Sequence, residues 1–219
     1  MPSIFISFEG IEGCGKSTQI QLLADTLRAQ GREVVVTREP GGTALGQTLR
    51  KLLLDPSTSL APGAEVLMML ADRAQHIQEI IAPALNANQL VLCDRFMDST
   101  IAYQGYGRKL DLSFLAQLNT FACGGYLPAL TFLLDVPVAE GLRRAQKRRG
   151  NETADHFEVE SVAFHDRVRE GFLSVAHAEP HRVHVLDSTR PLDAVRQEIT
   201  AVVQQRFAQE LRPDRAGLE

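Results

Sequence analysis

Gly10-Ile11-Glu12-Gly13-Cys14-Gly15-Lys16-Ser17 is the stretch on which the fold turns. It is a full G-x-x-x-x-G-K-S pattern, and its setting gives it weight. Ile4 to Phe8 before it is a short apolar run of strand character, and Ile20, Leu23 and Leu27 after it recur at helical spacing. A strand that feeds a glycine-rich turn and then a helix turns backbone N–H groups and a positive helix end toward phosphate oxygens. The expected nucleotide site is therefore Gly10 through Ser17 together with Thr18. Lys16 would reach the β- and γ-phosphates of ATP, and the Ser17 hydroxyl would ligate Mg²⁺.

Outward from that loop, strand-like runs alternate with amphipathic segments. Val34 to Thr37, Leu90 to Cys93, Leu130 to Asp135 and Val183 to Leu186 are short and near-continuously apolar, as parallel strands covered on both faces are. Gly31 reads as the stop of the first helix. Leu192, Val195, Ile199, Val202 and Phe207 draw one apolar face on a last helix opening near Pro191. The order predicts one α/β domain over residues 1–211, a five-stranded parallel sheet flanked by helices. Asp55 to Gly63 reads as a loop. Arg148 to Phe157, polar and glycine-containing, reads as a mobile flap, and residues 212–219 as a disordered tail.

Composition narrows the function. With 44% hydrophobic and 23% charged residues the chain is not broadly disordered. Lys and Arg number 23 against 27 Asp and Glu, a net charge of -4, so a general nucleic-acid binder is not expected. Three widely spaced cysteines, Cys14, Cys93 and Cys123, exclude a disulfide framework and a cysteine zinc site and fit a reducing cytoplasm. Met1 to Gly10 has no basic n-region, so no signal peptide is expected, and no apolar run nears the roughly 20 residues of a membrane span.

A second strand, Leu90 to Cys93, leads into Asp94, a carboxylate where the metal side of such a site needs one. There is no NKxD segment, which argues against a GTPase. Arg38 and Arg95 stand at strand ends, where ligands bind in open parallel sheets, and Arg50 and Arg73 lie on helical segments. Such a set suits a second anionic ligand, although Arg38 and Glu39 could equally form a structural pair.

FEGIEGCGKST, TREPGGT, CDRF and STIAYQGYGR, in this order and spacing, resemble the bacterial thymidylate kinases (dTMP kinases) from about Ile4 to Leu192. The resemblance implies a P-loop kinase fold with a mobile lid, conversion of dTMP to dTDP with ATP and Mg²⁺, and a cytoplasmic homodimer. It places Glu12 near the nucleotide sugar, Arg95 and Arg50 on the acceptor phosphate, and Glu39 beside them. It puts Arg73 on the thymine carbonyl, Thr100 and Gln104 on the thymine side, and Tyr103 against the sugar, where a 2′-hydroxyl would clash. An aromatic ring over deoxyribose is also a plausible 2′-hydroxyl filter on physical grounds.

Two positions depart from the family pattern. A phenylalanine that stacks on the base is replaced by Met69, within Val66-Leu67-Met68-Met69-Leu70, where a helical methionine could equally be core. The flap motif, commonly Asp-Arg-aromatic-Glu, is Asp155-His156-Phe157-Glu158. His156 is not a permanent cation, so Arg148 or Arg149 is the alternative that would assist transfer. Competing readings are a related kinase for another nucleotide or metabolite, and an ATP-binding switch with little turnover.

Overall fold

Alternation along the central strands sorts their side chains into two cores. In β1 (Phe5–Glu9) every residue is buried; Phe5 joins one apolar cluster while Ile6 and Phe8 join another. In β3 (Leu90–Asp94), Val91 and Cys93 go with Phe5, and Leu90 and Leu92 with Ile6 and Phe8. Helices must cover both faces of such strands, and they do. The computed structural model describes residues 4–150 and 153–211. The expected disordered tail, 212–219, lies outside them, as do residues 151–152 of the flap.

Among the described residues, five parallel strands run in the order β2-β3-β1-β4-β5, where β2 is Val34–Arg38, β4 Leu130–Asp135 and β5 Val183–Asp187. The edge strands β2 and β5 are only partly buried. The chain leaves β1 for β2 on one side and reaches β4 on the other, so the sheet reverses direction beside β1. A ligand crevice opens at the C-terminal ends of strands at that point.

The helices are α1 (Lys16–Ala29), α2 (Ala44–Leu54), α3 (Pro62–His76), α4 (Ala82–Asn86), α5 (Met97–Thr100), α6 (Leu112–Cys123), α7 (Val138–Arg149), α8 (Val162–Ala178) and α9 (Leu192–Arg206). Ile20, Leu23 and Leu27 of α1 are buried as their spacing predicts, and each such burial contributes ~1.5–3 kcal/mol. Two π-helical stretches, Ile77–Ile81 and Ile101–Gly107, extend α3 and α5. The second carries Tyr103 and Gln104; such widened turns are frequent at functional sites. Two expected loops are shorter than their composition suggests. Pro62 and Gly63 open α3, with proline where its missing N–H costs nothing, and Arg148 and Arg149 close α7.

One contact ties the glycine-rich loop to the rest. A Cβ on Gly13, whose φ is 72°, would lie 2.0 Å from the Gly141 carbonyl oxygen of α7. The loop backbone rests directly on that helix, and only glycine fits.

Candidate functional site

The loop between β1 and α1 is arranged as an anion cradle. Gly15, with φ 99°, turns the chain into α1, which has neither a side-chain cap nor an acidic residue in its first turn. The positive helix end is therefore left for a ligand anion. Lys16 is buried and its ammonium donates to the carbonyls of Gly10 at 3.0 Å and Ile11 at 3.1 Å. Ser17 Oγ donates to Asp94 Oδ2 at 2.7 Å, so α1 and the end of β3 bring one hydroxyl and one carboxylate together. Mg²⁺ keeps several waters and takes one or two carboxylates plus phosphate oxygens, so this sparse oxygen pair fits it. Among the described residues no cluster of three or more His, Cys, Asp or Glu offers a richer metal site.

Beyond the cradle lies a pocket whose wall is cationic. Arg95 follows β3 in a left-handed conformation, φ 71°, and its N–H bonds Phe8 O at 2.9 Å. Such a backbone in a non-glycine residue costs on the order of 1–3 kcal/mol and persists only where its surroundings enforce it. Glu9 supplies part of that enforcement: it accepts from Phe96 N–H at 2.7 Å and Ser99 Oγ at 2.6 Å. Burial, then the neighbouring Asp98, pushes the Glu9 carboxyl well above its usual range. The Arg95 guanidinium reaches Glu12 Oε1 at 2.8 Å, the Tyr103 hydroxyl at 3.0 Å and Gly10 O at 3.0 Å. Tyr103 in turn donates to Glu12 Oε1 at 2.5 Å. Burial opposes ionisation of Glu12, but Arg95 and Lys16 outweigh it and hold the carboxylate below its ordinary value.

Arg38 and Arg50 complete the cationic wall. Arg50 donates to Pro40 O at 3.0 Å, and its pKa is lowered first by burial and then by Arg38 and Arg95. The Asp155 and Asp94 carboxylates offset part of that effect, and three guanidiniums grouped along one wall suit an anionic ligand. Met69, Gln104, Glu39 and Tyr103 line the same pocket. Gln104 donates its amide to Glu65 Oε1 at 2.8 Å and leaves its own Oε1 buried without a partner among the described residues. Tyr103 packs edge-on to Phe157, 5.5 Å between centroids.

Arg73 and Thr100, expected at the base, do not line this pocket. Both are fully buried behind it. Arg73 donates to Glu39 at 2.8 Å, Thr100 Oγ1 at 2.9 Å, Asn119 Oδ1 at 2.7 Å and Phe96 O at 3.0 Å. Four of the five guanidinium donors are thus committed to protein. The second carboxylate oxygen of Glu39 meets His76 Nδ1 at 2.9 Å, so Glu39 is anchored from behind rather than paired with Arg38.

A phosphate cradle, a sparse metal pair and a cationic wall thus meet around one pocket at the C-terminal ends of the central strands. The thymidylate kinase family model matches residues 8–199. This chain belongs to the thymidylate kinase family. Curated thymidylate kinases from Desulfovibrio desulfuricans and Geobacter sulfurreducens are 55% and 54% identical, over 88% and 90% of this chain and 91% and 93% of theirs. The crystal structure of a thymidylate kinase from Ehrlichia chaffeensis superposes with a TM-score of 0.76 at 39% identity, covering 93% of this chain and 99% of that one.

The three cations expected in the flap separate by position. Arg148, largely exposed, lines the pocket and lies 3.8 Å from Glu158. Arg149 is turned to Glu158 and does not line the pocket. His156 is held elsewhere, its Nε2 3.1 Å from Arg108 Nη2 and 3.6 Å from Glu65 Oε2. Arg108 is a hub whose contacts leave no trace in the sequence. Arg108 also grips Glu65 and Glu160 and lies over the Phe164 ring at 4.8 Å. Arg108 ends the Ser99–Arg108 stretch, and nothing in its spacing marks its partners. Asp155 and Phe157 also line the pocket, unforeseen as site residues.

Proposed function

We propose that this kinase transfers the γ-phosphoryl group of ATP to dTMP, giving dTDP, with Mg²⁺ held by Ser17 and Asp94. The observation that carries the reading is the triangle of Arg38, Arg50 and Arg95 facing the Lys16 loop across one pocket. It suits a phosphorylated acceptor beside a nucleotide triphosphate, whereas a switch needs no second phosphate clamp.

Gly10 to Thr18 hold the donor phosphates through backbone N–H groups and the α1 terminus, and Lys16 neutralises charge on the β- and γ-oxygens. Mg²⁺, when bound, screens the phosphate charge and fixes donor orientation. Arg95 and Arg50 align the acceptor phosphate, whose oxygen is already largely ionised, so no general base is required. Tyr103, supported by Glu12, closes the space beside the sugar. Arg148 is the flap cation placed to meet transferring charge. Gln104 and Met69 face the base, with Glu39, Arg73 and Thr100 as the framework behind them.

A coupled assay with ATP, Mg²⁺ and a panel of monophosphates tests the reading. We expect dTMP to be preferred, dUMP weaker and ribonucleotides poor; AMP, CMP or GMP outperforming dTMP would replace it with the related-kinase alternative, and no turnover at all with the switch.

Met69 lines the pocket while only 6% exposed, a wall position for a flat ring. Met69→Phe is expected to tighten dTMP several-fold, since aromatic pairing adds roughly 0.5–1.5 kcal/mol and the thioether already supplies part. An unchanged or weaker dissociation constant by titration would make Met69 a packing residue only. For the flap, Arg148→Ala should lower kcat. His156→Gln should leave kcat close to the parent's, because the ring lies against Arg108 and Glu65 and does not line the pocket. A loss of kcat in His156→Gln as large as that in Arg148→Ala would transfer the role to the histidine.

The homodimer reading is supported by apolar residues left on adjacent helices: Leu67 on α3, 63% exposed, and Phe114 and Phe121 on α6, 57% and 84%. Such a patch suits a self-complementary interface. Free, buried cysteines support a cytoplasmic setting. No helix among the described residues is long and apolar enough to cross a membrane. The acidic balance supports neither nucleic-acid binding nor attraction to an anionic membrane.

A further inference from the structure

Among the buried titratable groups that the phosphate chemistry leaves unused is a histidine of α8. His165, in the first turns of α8, is fully buried, and among the described residues neither ring nitrogen has a hydrogen-bond partner. Its Nδ1 lies 3.6 Å from Glu12 Oε2. That oxygen is also buried and unpartnered, while Oε1 takes both the Tyr103 hydroxyl at 2.5 Å and Arg95 at 2.8 Å. Two orphaned polar groups thus face each other across a gap just beyond hydrogen-bond length. Buried polar groups are rarely left this way unless they have a role. A small side-chain rotation closes the gap to ~3 Å, the ordinary N–H···O distance.

We propose that His165 is a positioning residue for the acceptor site: its Nδ1–H donates to Glu12 Oε2 and locks the carboxylate through both oxygens. So locked, Glu12 fixes the Tyr103 hydroxyl and the Arg95 guanidinium where the acceptor's sugar and phosphate meet them. Without the histidine, Oε2 faces a wall with no donor, and the carboxylate gains freedom to rotate away from Arg95. The helix supplying His165 is pressed hard against the site. A Cβ on Gly171 of α8 would lie 2.9 Å from the Tyr106 ring, on the stretch that carries Tyr103. Among the groups that hold Glu12 ionised against burial, His165 is a further contributor after Arg95, Lys16 and Tyr103.

The inference deepens the dTMP kinase reading and rests on it. Asparagine places an amide N–H near Nδ1, and glutamine places one near Nε2. The dissociation constant for dTMP and the KM for ATP are measured for the parent, His165→Asn, His165→Gln, Glu12→Gln and the double variant Glu12→Gln/His165→Gln. A lost hydrogen bond to a charged group corresponds to about tenfold. We expect His165→Gln to weaken dTMP by about tenfold with KM for ATP unchanged, and His165→Asn to recover most of that loss. In the Glu12→Gln background, His165→Gln should cost nothing further. Equal losses for Asn and Gln, no loss for Gln, or an undiminished loss without the Glu12 carboxylate would each overturn the proposal. Should His165→Gln fail to fold, a tenfold weakening in His165→Asn overturns it and near-parental binding supports it. Failure of the kinase reading itself shows separately, as a parent protein that does not phosphorylate dTMP.

Discussion

Lys16→Ala is expected to lower kcat by at least about 10²-fold while the urea midpoint stays close to the parent's. The two halves of that expectation have different origins. A cation aimed at charge developing on a transferring phosphoryl group acts in a site that excludes water, where loss of one contact costs about 2.7–4 kcal/mol. The same ammonium contributes little to the fold, since its hydrogen bonds run to its own loop, to the Gly10 and Ile11 carbonyls, with Cys14 Sγ at 3.4 Å. Lys16 itself lines the pocket, so before substrates fill it water can take the ammonium's place. Steady-state kinetics and a urea titration on the same sample check both halves. Normal turnover in a folded variant would remove the P-loop from the mechanism.

The second large effect is on stability. Arg73→Leu is expected to destabilise the protein by about 3–5 kcal/mol, because removing one partner of a buried ion pair leaves the other charge uncompensated. Glu39 is the partner stranded, 1% exposed with Arg73 Nε 2.8 Å from Oε2. Burial lowers the arginine's pKa, but Glu39 more than offsets it, so the guanidinium stays charged. The bonds from Arg73 to Thr100, Asn119 and Phe96 would vanish together, loosening the start of the π-helical stretch and the Arg95 turn. Arg73→Lys should restore little, since a single ammonium cannot meet four acceptors in a planar fork. Equilibrium unfolding measures the loss. A variant of parental stability that binds dTMP poorly would instead place the guanidinium in direct service of the base.

The phosphate loop was legible in the sequence because its chemistry is local. Glycines, lysine and hydroxyl lie within eight consecutive positions, and a strand and a helix flank them with unmistakable periodicity. The five strands were legible for the same reason, each a short apolar run. What could not be read was the partnership of distant side chains. Nothing in the spacing tells that Arg73 spends its donors on Glu39 and Asn119, 34 and 46 positions away. Nor does it tell that Arg108 holds His156, or that His165 looks at Glu12. Those contacts depend on how helices cross the sheet, and the period of a helix says which face is buried, not what it meets. The ends of α3 and α7 were missed because proline, glycine and arginine are as much helix termini as loop residues.

The rest of Gly13 on Gly141 makes α7 a strut. One end of that helix supports the glycine-rich loop, and its far end carries Arg148 and Arg149. From Gly141 to Arg148 the rod measures roughly 10 Å at 1.5 Å per residue. A close-packed helix transmits displacement rather than absorbing it. Any push on the loop is therefore felt as a tilt at Arg148 and Arg149, and a side chain introduced at either glycine would mis-set both ends at once.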